Sequence, residues 1–256
     1  MIIGVPSEVK NNEFRVGLTP ESVKQIVESG HRVLIQSNAG NGIGFNNDDY
    51  IKSGATIINS AEEVYGSSEL IIKVKEPIES EYKYLRDDLT LFTYLHLAGD
   101  IENAPKLIET GVTGIAYETV TADDGSMPLL APMSAIAGQI SIVVGSYHLL
   151  KHNSGRGVLI GSFGDIAPRI VTVIGCGVAG TEAISKAISN KAHVRVIDLS
   201  EDKLKELESI YGNNNIEYII SNPESIRKAI QDSDLIIGAV YVVGKEAPKI
   251  ISIDML

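Results

Sequence analysis

The feature that most constrains this chain is the stretch at residues 170–198, IVTVIGCGVAGTEAISKAISNKAHVRVID. An apolar run typical of a strand leads directly into Gly175, Gly177 and Gly180, and a helical segment and a second strand ending at Asp198 follow. In such a unit the first glycine makes a tight turn, the second lets backbone approach a pyrophosphate, and the third lets helix and strand pack closely. The pattern therefore predicts a dinucleotide-binding βαβ unit.

The acidic residue at the end of the second strand bears on the choice of dinucleotide. A carboxylate in this position can accept hydrogen bonds from both ribose hydroxyls and repels a 2′-phosphate. Asp198 therefore favours NAD over NADP. The start of the helix adds backbone N–H donors and the positive end of a dipole for the phosphates.

Short apolar runs alternate with helical segments through the first half of the chain. The runs are MIIGV, HRVLIQ, ATII, ELIIKVK, LTLFTYLHL and VTGIAYE, and helices are predicted over residues 20–29 and 101–110. Such alternation predicts a doubly wound parallel sheet.

A long helix, SAIAGQISIVVGSYHLL, is predicted after the first sheet, with Ser134 able to cap its start. Apolar residues recur in it at helical spacing, namely Ile136, Ile140, Val143, Tyr147 and Leu150. We therefore predict an α/β chain of two Rossmann-like doubly wound domains joined by a long helix. The predicted domains are a substrate domain over residues 1–131 and an NAD-binding domain over residues 132–256.

Composition excludes several classes of partner. The chain of 256 residues has a net charge of −11, which argues against a nucleic-acid or anionic-membrane surface. It has one cysteine, Cys176, so an internal disulfide is excluded, and it has no apolar run long enough to span a membrane. Met1 leads directly into a strand-like run without a signal-peptide pattern. A cytoplasmic protein is expected, and no metal site is predicted.

A second site is predicted at the carboxyl ends of the first strands. Lys75 closes ELIIKVK, where it would share a strand face with Lys73, and His96 closes LTLFTYLHL, where it would share a face with Tyr94. Arg15 follows the first strand. Two cations and an imidazole at this edge suit a small carboxylate with histidine as general acid and base. Taken singly, the cations could be solvated surface charges and His96 a hydrogen-bonded residue at a strand end.

Six long segments dispersed along the chain carry a resemblance to a known family. They are MIIGVPSEVKNNEFRVGLTP, IIKVKEP, LFTYLHLAG, GIAYETV, PLLAPMSAIAGQ and DLIIGAVYVVGKEAPKI. In this order they resemble alanine dehydrogenase over the whole chain. The resemblance implies an NAD-dependent oxidoreductase of L-alanine catabolism, which reversibly deaminates L-alanine to pyruvate and ammonia. It also implies a Rossmann-like substrate domain and a hexameric assembly.

The resemblance also implies roles for individual residues. Arg15 and Lys75 match the ligands of the substrate carboxylate, and His96 matches the acid/base. The residues that match NAD contacts, besides the three glycines, are Ser134, Val178, Ala179, Asp198, Lys203, Ser221 and Val240. Two of these have other interpretations, since Ser134 can be a plain helix cap and Lys203 a solvated helix lysine.

The end of the chain departs from the family pattern. In the family, the segment matching PKIISIDML continues into a strand that carries a catalytic aspartate, and the chain then returns to complete the substrate domain. The resemblance therefore implies that both domains lack C-terminal elements, that activity of residues 1–256 alone is impaired, and that the strand edge around DLIIGAV aggregates or associates. The expected partner is a homo-oligomer or a complementing C-terminal fragment. Two alternative functions stay open. The chain could be the NAD-binding alpha portion of a transhydrogenase, or a non-catalytic nucleotide-binding remnant or subunit.

Overall fold

A computed structural model describes residues 1–242 and 247–255 of the chain. The chain divides into two compact units, Met1–Val120 and Thr121–Leu256. Residues 243–246, within the segment DLIIGAVYVVGKEAPKI, and residue 256, at the end of PKIISIDML, lie outside the described residues. The domain boundary between residues 131 and 132 stays a prediction.

The first unit is a parallel sheet of six strands with helices between them. The strands are β1 (Ile2–Val5), β2 (Arg32–Gln36), β3 (Thr56–Ile58), β4 (Leu70–Ile72), β5 (Thr90–Thr93) and β6 (Thr113–Ala116). The helices are α1 (Pro20–Glu28), α2 (Asn47–Lys52), α3 (Ala61–Ser67), α4 (Glu79–Tyr82) and α5 (Ala104–Glu109). The strand order is β3-β2-β1-β4-β5-β6, so the winding direction reverses between β1 and β4. The crevice at the carboxyl ends of strands at such a reversal is the usual ligand site of an open α/β sheet.

Local sequence accounts for where the first helices begin. The Thr19 hydroxyl accepts a hydrogen bond from the Ser22 N–H, and Pro20 occupies the first turn of α1, where its missing N–H costs nothing. At α2, Asn46 and Asp49 form a reciprocal capping box. Helix α1 matches its prediction closely. Helix α5 begins at Ala104, three residues later than predicted, with a proline in its first turn.

Strands β4 and β5 are shorter than predicted. β4 ends at Ile72 and β5 ends at Thr93, so Lys75 and His96 both lie beyond their strands. The prediction that Lys73 and Lys75 share a strand face is wrong, since β4 ends before both residues. Lys73 is buried and Lys75 is half-buried. The physical reason is that carboxylates accept the backbone N–H groups after each strand, which ends the regular ladder.

In the described part of the second unit, four parallel strands form a sheet in the order β10-β7-β8-β9. The strands are β7 (Ile170–Ile174), β8 (His193–Asp198), β9 (Ile216–Ile220) and β10 (Leu235–Gly238). The helices are α6 (Ala131–His148), α7 (Val178–Ser189), α8 (Glu201–Tyr211) and α9 (Pro223–Ile230). Together with the first unit, this confirms the predicted α/β class with two parallel sheets. β10 lies at an edge of the described sheet.

Helix α6 begins three residues before the predicted position. Its N-cap is Leu130, so Ser134 lies inside the helix, and the prediction that it caps the helix is wrong. Pro132 in the first turn favours the earlier start. The buried side of α6 carries Gly138 and Ile142, whereas four members of the predicted apolar stripe are exposed, namely Ile136, Ile140, Val143 and Tyr147.

Close packing of α6 on α7 explains which side of α6 is buried. A Cβ atom on Gly138 would lie 2.1 Å from the Ala179 carbonyl oxygen, so only glycine allows this approach.

Among the described residues, α6 included, no helix combines the length and the apolar character that crossing a bilayer requires.

Candidate functional site

The glycine turn of the second unit has the geometry that its sequence predicts. Gly175 has a φ of +97°, and a Cβ atom on Gly180 would lie 1.8 Å from the Gly175 carbonyl oxygen. Gly177 precedes α7 and has open space where a Cβ atom would project. The turn, the close packing and the open approach are therefore each provided by a different glycine, and the first N–H groups of α7 border the open space.

A cavity of about 910 Å³ lies beside this turn, within the second unit. Eight of the residues predicted to bind the cofactor line it, namely Ser134, Gly175, Gly177, Val178, Ala179, Asp198, Ser221 and Val240. The other two, Gly180 and Lys203, lie outside its lining. Gly180 packs against the turn, and the Lys203 ammonium is 2.9 Å from a carboxylate oxygen of Glu206.

Sequence reasoning did not identify the apolar walls of this cavity. They include Met127, Leu130, Leu199, Ile226 and Tyr241. An apolar cleft beside a glycine turn suits the planar base of a nucleotide. Leu199 directly follows Asp198 at the carboxyl end of β8, and this position was the signal that could have identified it.

Asp198 is held in place by two backbone N–H groups. Its Oδ2 accepts from the Cys176 N–H at 2.6 Å, and its Oδ1 accepts from the Ser200 N–H at 2.8 Å. These bonds direct the carboxylate to the carboxyl end of β8, at the edge of the cavity. Carboxylate oxygens have further lone pairs, so Asp198 can still accept hydrogen bonds from ribose hydroxyls.

We expect the thiol of Cys176 to be unreactive in the folded protein. Burial raises the pKa of Cys176 to about 12, and the adjacent Asp198 carboxylate adds to this increase. Because the thiolate is the reactive form, labelling by a disulfide reagent near pH 8 should be slower on the order of 10²–10³-fold than in the urea-unfolded chain. Equal labelling rates in the two states would contradict this burial.

The predicted residues of the first unit follow three neighbouring strands. Arg15 lies in the loop after β1, Lys75 follows β4, and His96 follows β5. In the sheet β1 pairs with β4, and β4 pairs with β5. All three residues therefore lie at the same edge of the sheet, at the reversal of strand order.

Arg15 is oriented by a carboxylate that the sequence analysis missed. The Nε and Nη2 atoms of Arg15 donate to the two carboxylate oxygens of Glu13 at 2.8 and 2.6 Å. The Glu13 side chain is 7% exposed, and its hydrogen bonds from Arg15 lower the pKa of the Glu13 carboxyl. The nearby Lys75 ammonium contributes to the same decrease, so both cations lie within electrostatic reach of Glu13.

His96 is oriented by its own backbone and by a second missed carboxylate. Its φ of +50° is left-handed, and its N–H donates to Glu118 Oε1 at 2.6 Å. The exposed His96 ring stacks on Tyr94 with 5.8 Å between centroids and 9° between planes. Glu118 follows β6, the next strand along the sheet, so its position at a strand end was the signal that could have identified it.

Comparison with known proteins adds to this geometry. The model of the alanine dehydrogenase/PNT N-terminal domain matches residues 4–137, and the model of the C-terminal domain matches residues 141–256. The chain belongs to the alanine dehydrogenase/PNT family. Alanine dehydrogenase of Mycolicibacterium smegmatis is 45% identical over 98% of this chain and 68% of its own length. That of Bacillus subtilis is 45% identical over 100% of the chain and 67% of its own length.

Two solved structures show the same architecture. An L-alanine dehydrogenase superposes with a TM-score of 0.89 at 44% identity, covering all of this chain and 70% of the other. A transhydrogenase from Sinorhizobium meliloti superposes with a TM-score of 0.79 at 23% identity, covering all of this chain and 74% of the other, and shows a shared fold. The chain spans about two thirds of the length of the Mycolicibacterium smegmatis and Bacillus subtilis proteins.

Proposed function

We propose that this chain is an NAD-dependent oxidoreductase that acts on L-alanine, releasing pyruvate and ammonia in a reversible reaction. The observation that supports the proposal is the cavity beside the glycine turn, which Asp198 lines from the carboxyl end of β8, where a carboxylate can accept hydrogen bonds from ribose hydroxyls. Membership of the alanine dehydrogenase/PNT family supports both the cofactor and the substrate. Bound NAD would supply the hydride acceptor.

The proposed substrate site is the set Arg15, Lys75 and His96. The guanidinium and the ammonium neutralise the substrate carboxylate and fix its orientation. Loss of a hydride from Cα of L-alanine and of a proton from its amino group gives an imino acid, and addition of water with loss of ammonia then gives pyruvate. Proton transfers to and from this water and the amine require a general acid and base, and the His96 imidazole, which can both donate and accept a proton, suits this role. A module that only binds nucleotide would not need this set.

The proposal extends to assembly and location. We propose that the chain forms a homo-oligomer, and by resemblance to the family a hexamer. Light scattering of the purified protein measures the mass of this assembly. Cys176 is buried and unpaired, which is compatible with a reducing compartment, and we propose the cytoplasm as its location. Cell fractionation tests this location.

Asp198→Ala should weaken NAD binding by about tenfold or more, because a charge-assisted hydrogen bond typically contributes about 1.5–3 kcal/mol. The same change should narrow the preference for NAD over NADP, since it removes the charge that repels the 2′-phosphate. Titration calorimetry with each dinucleotide measures both effects. Asp202→Ala, which removes an exposed acid from the first turn of α8, is the control for net charge. The assignment is wrong if the unaltered chain binds NADP as tightly as NAD.

A further inference from the structure

Glu8 connects the loop after β1 to the loop after β4. Its side chain is 2% exposed. Its Oε1 accepts from the Val74 N–H at 2.6 Å, and its Oε2 accepts from the Lys75 N–H at 3.4 Å. Because β4 ends at Ile72, this carboxylate takes the place of a strand partner for the two peptide N–H groups next to the Lys75 side chain.

The charge of Glu8 is balanced by a buried lysine. Lys73 is 1% exposed, and its ammonium lies 3.8 Å from Glu8 Oε2 and 2.6 Å from Glu81 Oε1. The Tyr65 hydroxyl also donates to Glu81 Oε1, at 2.9 Å. The short ion pair of Lys73 is therefore with Glu81, whereas the shortest contact of Glu8 is with the backbone before Lys75.

A second contact ties the same two loops together. Lys10, two residues after Glu8, forms an ion pair with Glu76, the residue after Lys75. The loop after β1 also carries Arg15, so the two cations of the proposed substrate site are on segments joined at two points.

We propose that Glu8 is a positioning residue for the substrate carboxylate, because it holds the Lys75 backbone so that the ammonium is presented on the same side as Arg15. This inference rests on the proposed role of Lys75 in substrate binding. Glu8 does not touch the substrate in this proposal and acts only through the loop after β4. Its effect should therefore appear in pyruvate affinity and not in NAD affinity, since the proposed NAD site lies in the other unit.

The test compares Glu8→Gln with Glu81→Gln in the full chain. Both changes neutralise a buried carboxylate beside Lys73, and both carboxylates accept a backbone N–H. Glu81 accepts from Ile78, three residues after Lys75, and not from Val74 or Lys75. Glu8→Gln should raise the Kd of pyruvate about tenfold, measured by calorimetry with saturating NADH, and Glu81→Gln should change it by less than about twofold. Both variants should leave the Kd of NAD unchanged.

Glu8→Asp separates positioning from charge balance. The shorter carboxylate still faces Lys73, but it is one methylene too short to keep both loop N–H bonds, so it should show the same loss of pyruvate affinity with less effect on stability. Hydrogen exchange of a peptide spanning residues 73–76 gives a readout that needs no substrate. Exchange at Val74 and Lys75 should increase about tenfold in Glu8→Asp. In Glu8→Gln, whose single amide oxygen can accept only one of the two N–H groups, exchange should increase at the other, and in Glu81→Gln it should stay unchanged at both.

The outcomes distinguish this proposal from the proposed function. Failure of the unaltered chain to bind pyruvate would overturn the role of Lys75, and the exchange measurement would still decide whether Glu8 holds the loop. Unchanged exchange and pyruvate affinity in the Glu8 variants would overturn the positioning role. An equal loss of pyruvate affinity in Glu81→Gln would also overturn it, because the effect would then come from the buried cluster as a whole.

Discussion

Gly180→Ala is expected to lower the free energy of unfolding by about 1–3 kcal/mol, the usual cost of forcing an atom into a packed site. The added Cβ would lie 1.8 Å from the Gly175 carbonyl oxygen, and backbone cannot yield as a flexible side chain can. Gly175 also packs closely against the backbone after β10, since a Cβ atom on Gly175 would lie 2.7 Å from the Ala239 carbonyl oxygen. The turn therefore has little room to shift away from the added methyl group. Urea unfolding followed by circular dichroism measures the loss.

Gly177→Ala is the matched control for this prediction. Gly177 has a φ of −67°, and nothing lies within 4 Å of the position of its Cβ atom. Its free energy of unfolding should therefore change by less than about 0.5 kcal/mol. The same methyl group would project into the space proposed for the pyrophosphate, so NAD affinity should fall. A Gly180→Ala protein as stable as the unaltered chain would show that the turn can accommodate a methyl group at this position.

Lys75→Ala is expected to raise the Kd of pyruvate by about one to two decades, because removing one partner of a charge-assisted pair costs about 1.5–3 kcal/mol. In the described parts of the chain, the Lys75 ammonium forms no ion pair within 4.0 Å, and the nearby Glu13 keeps its ion pair with Arg15, so the substitution should leave no buried acid unpaired. The loss should therefore appear in ligand affinity and not in thermal stability. Calorimetric titration of pyruvate in the presence of NADH measures it.

Lys24→Ala provides the control for net charge, since Lys24 is an exposed residue of α1 in the same unit. It should leave pyruvate affinity unchanged within about twofold. NAD affinity should be unchanged in both variants. If Lys75→Ala binds pyruvate with an unaltered Kd, Lys75 is not part of the proposed substrate site, and Arg15 is left as the candidate ligand.

The sequence by itself determined the class of fold and the geometry of the glycine turn. Strand periodicity and the spacing of Gly175, Gly177 and Gly180 act within a few residues, so they can be recognised without knowing the rest of the molecule. Asp198 was predictable for the same reason, because a residue at the end of a strand lies at the edge of its sheet. The position of Arg15, Lys75 and His96 at one sheet edge followed from the rule for parallel strands.

Only the tertiary structure decided how these side chains are held. Glu8, Glu13 and Glu118 were missed because acidic residues in loops are usually solvated. Only the packing shows that Glu8 and Glu118 accept hydrogen bonds from backbone N–H groups and that Glu13 accepts them from the Arg15 guanidinium. The same contacts ended β4 and β5 earlier than periodicity predicts, because carboxylates took N–H groups that a longer strand would have used. The buried side of α6 was decided by its close approach to α7 at Gly138, a contact between segments that local sequence patterns do not encode.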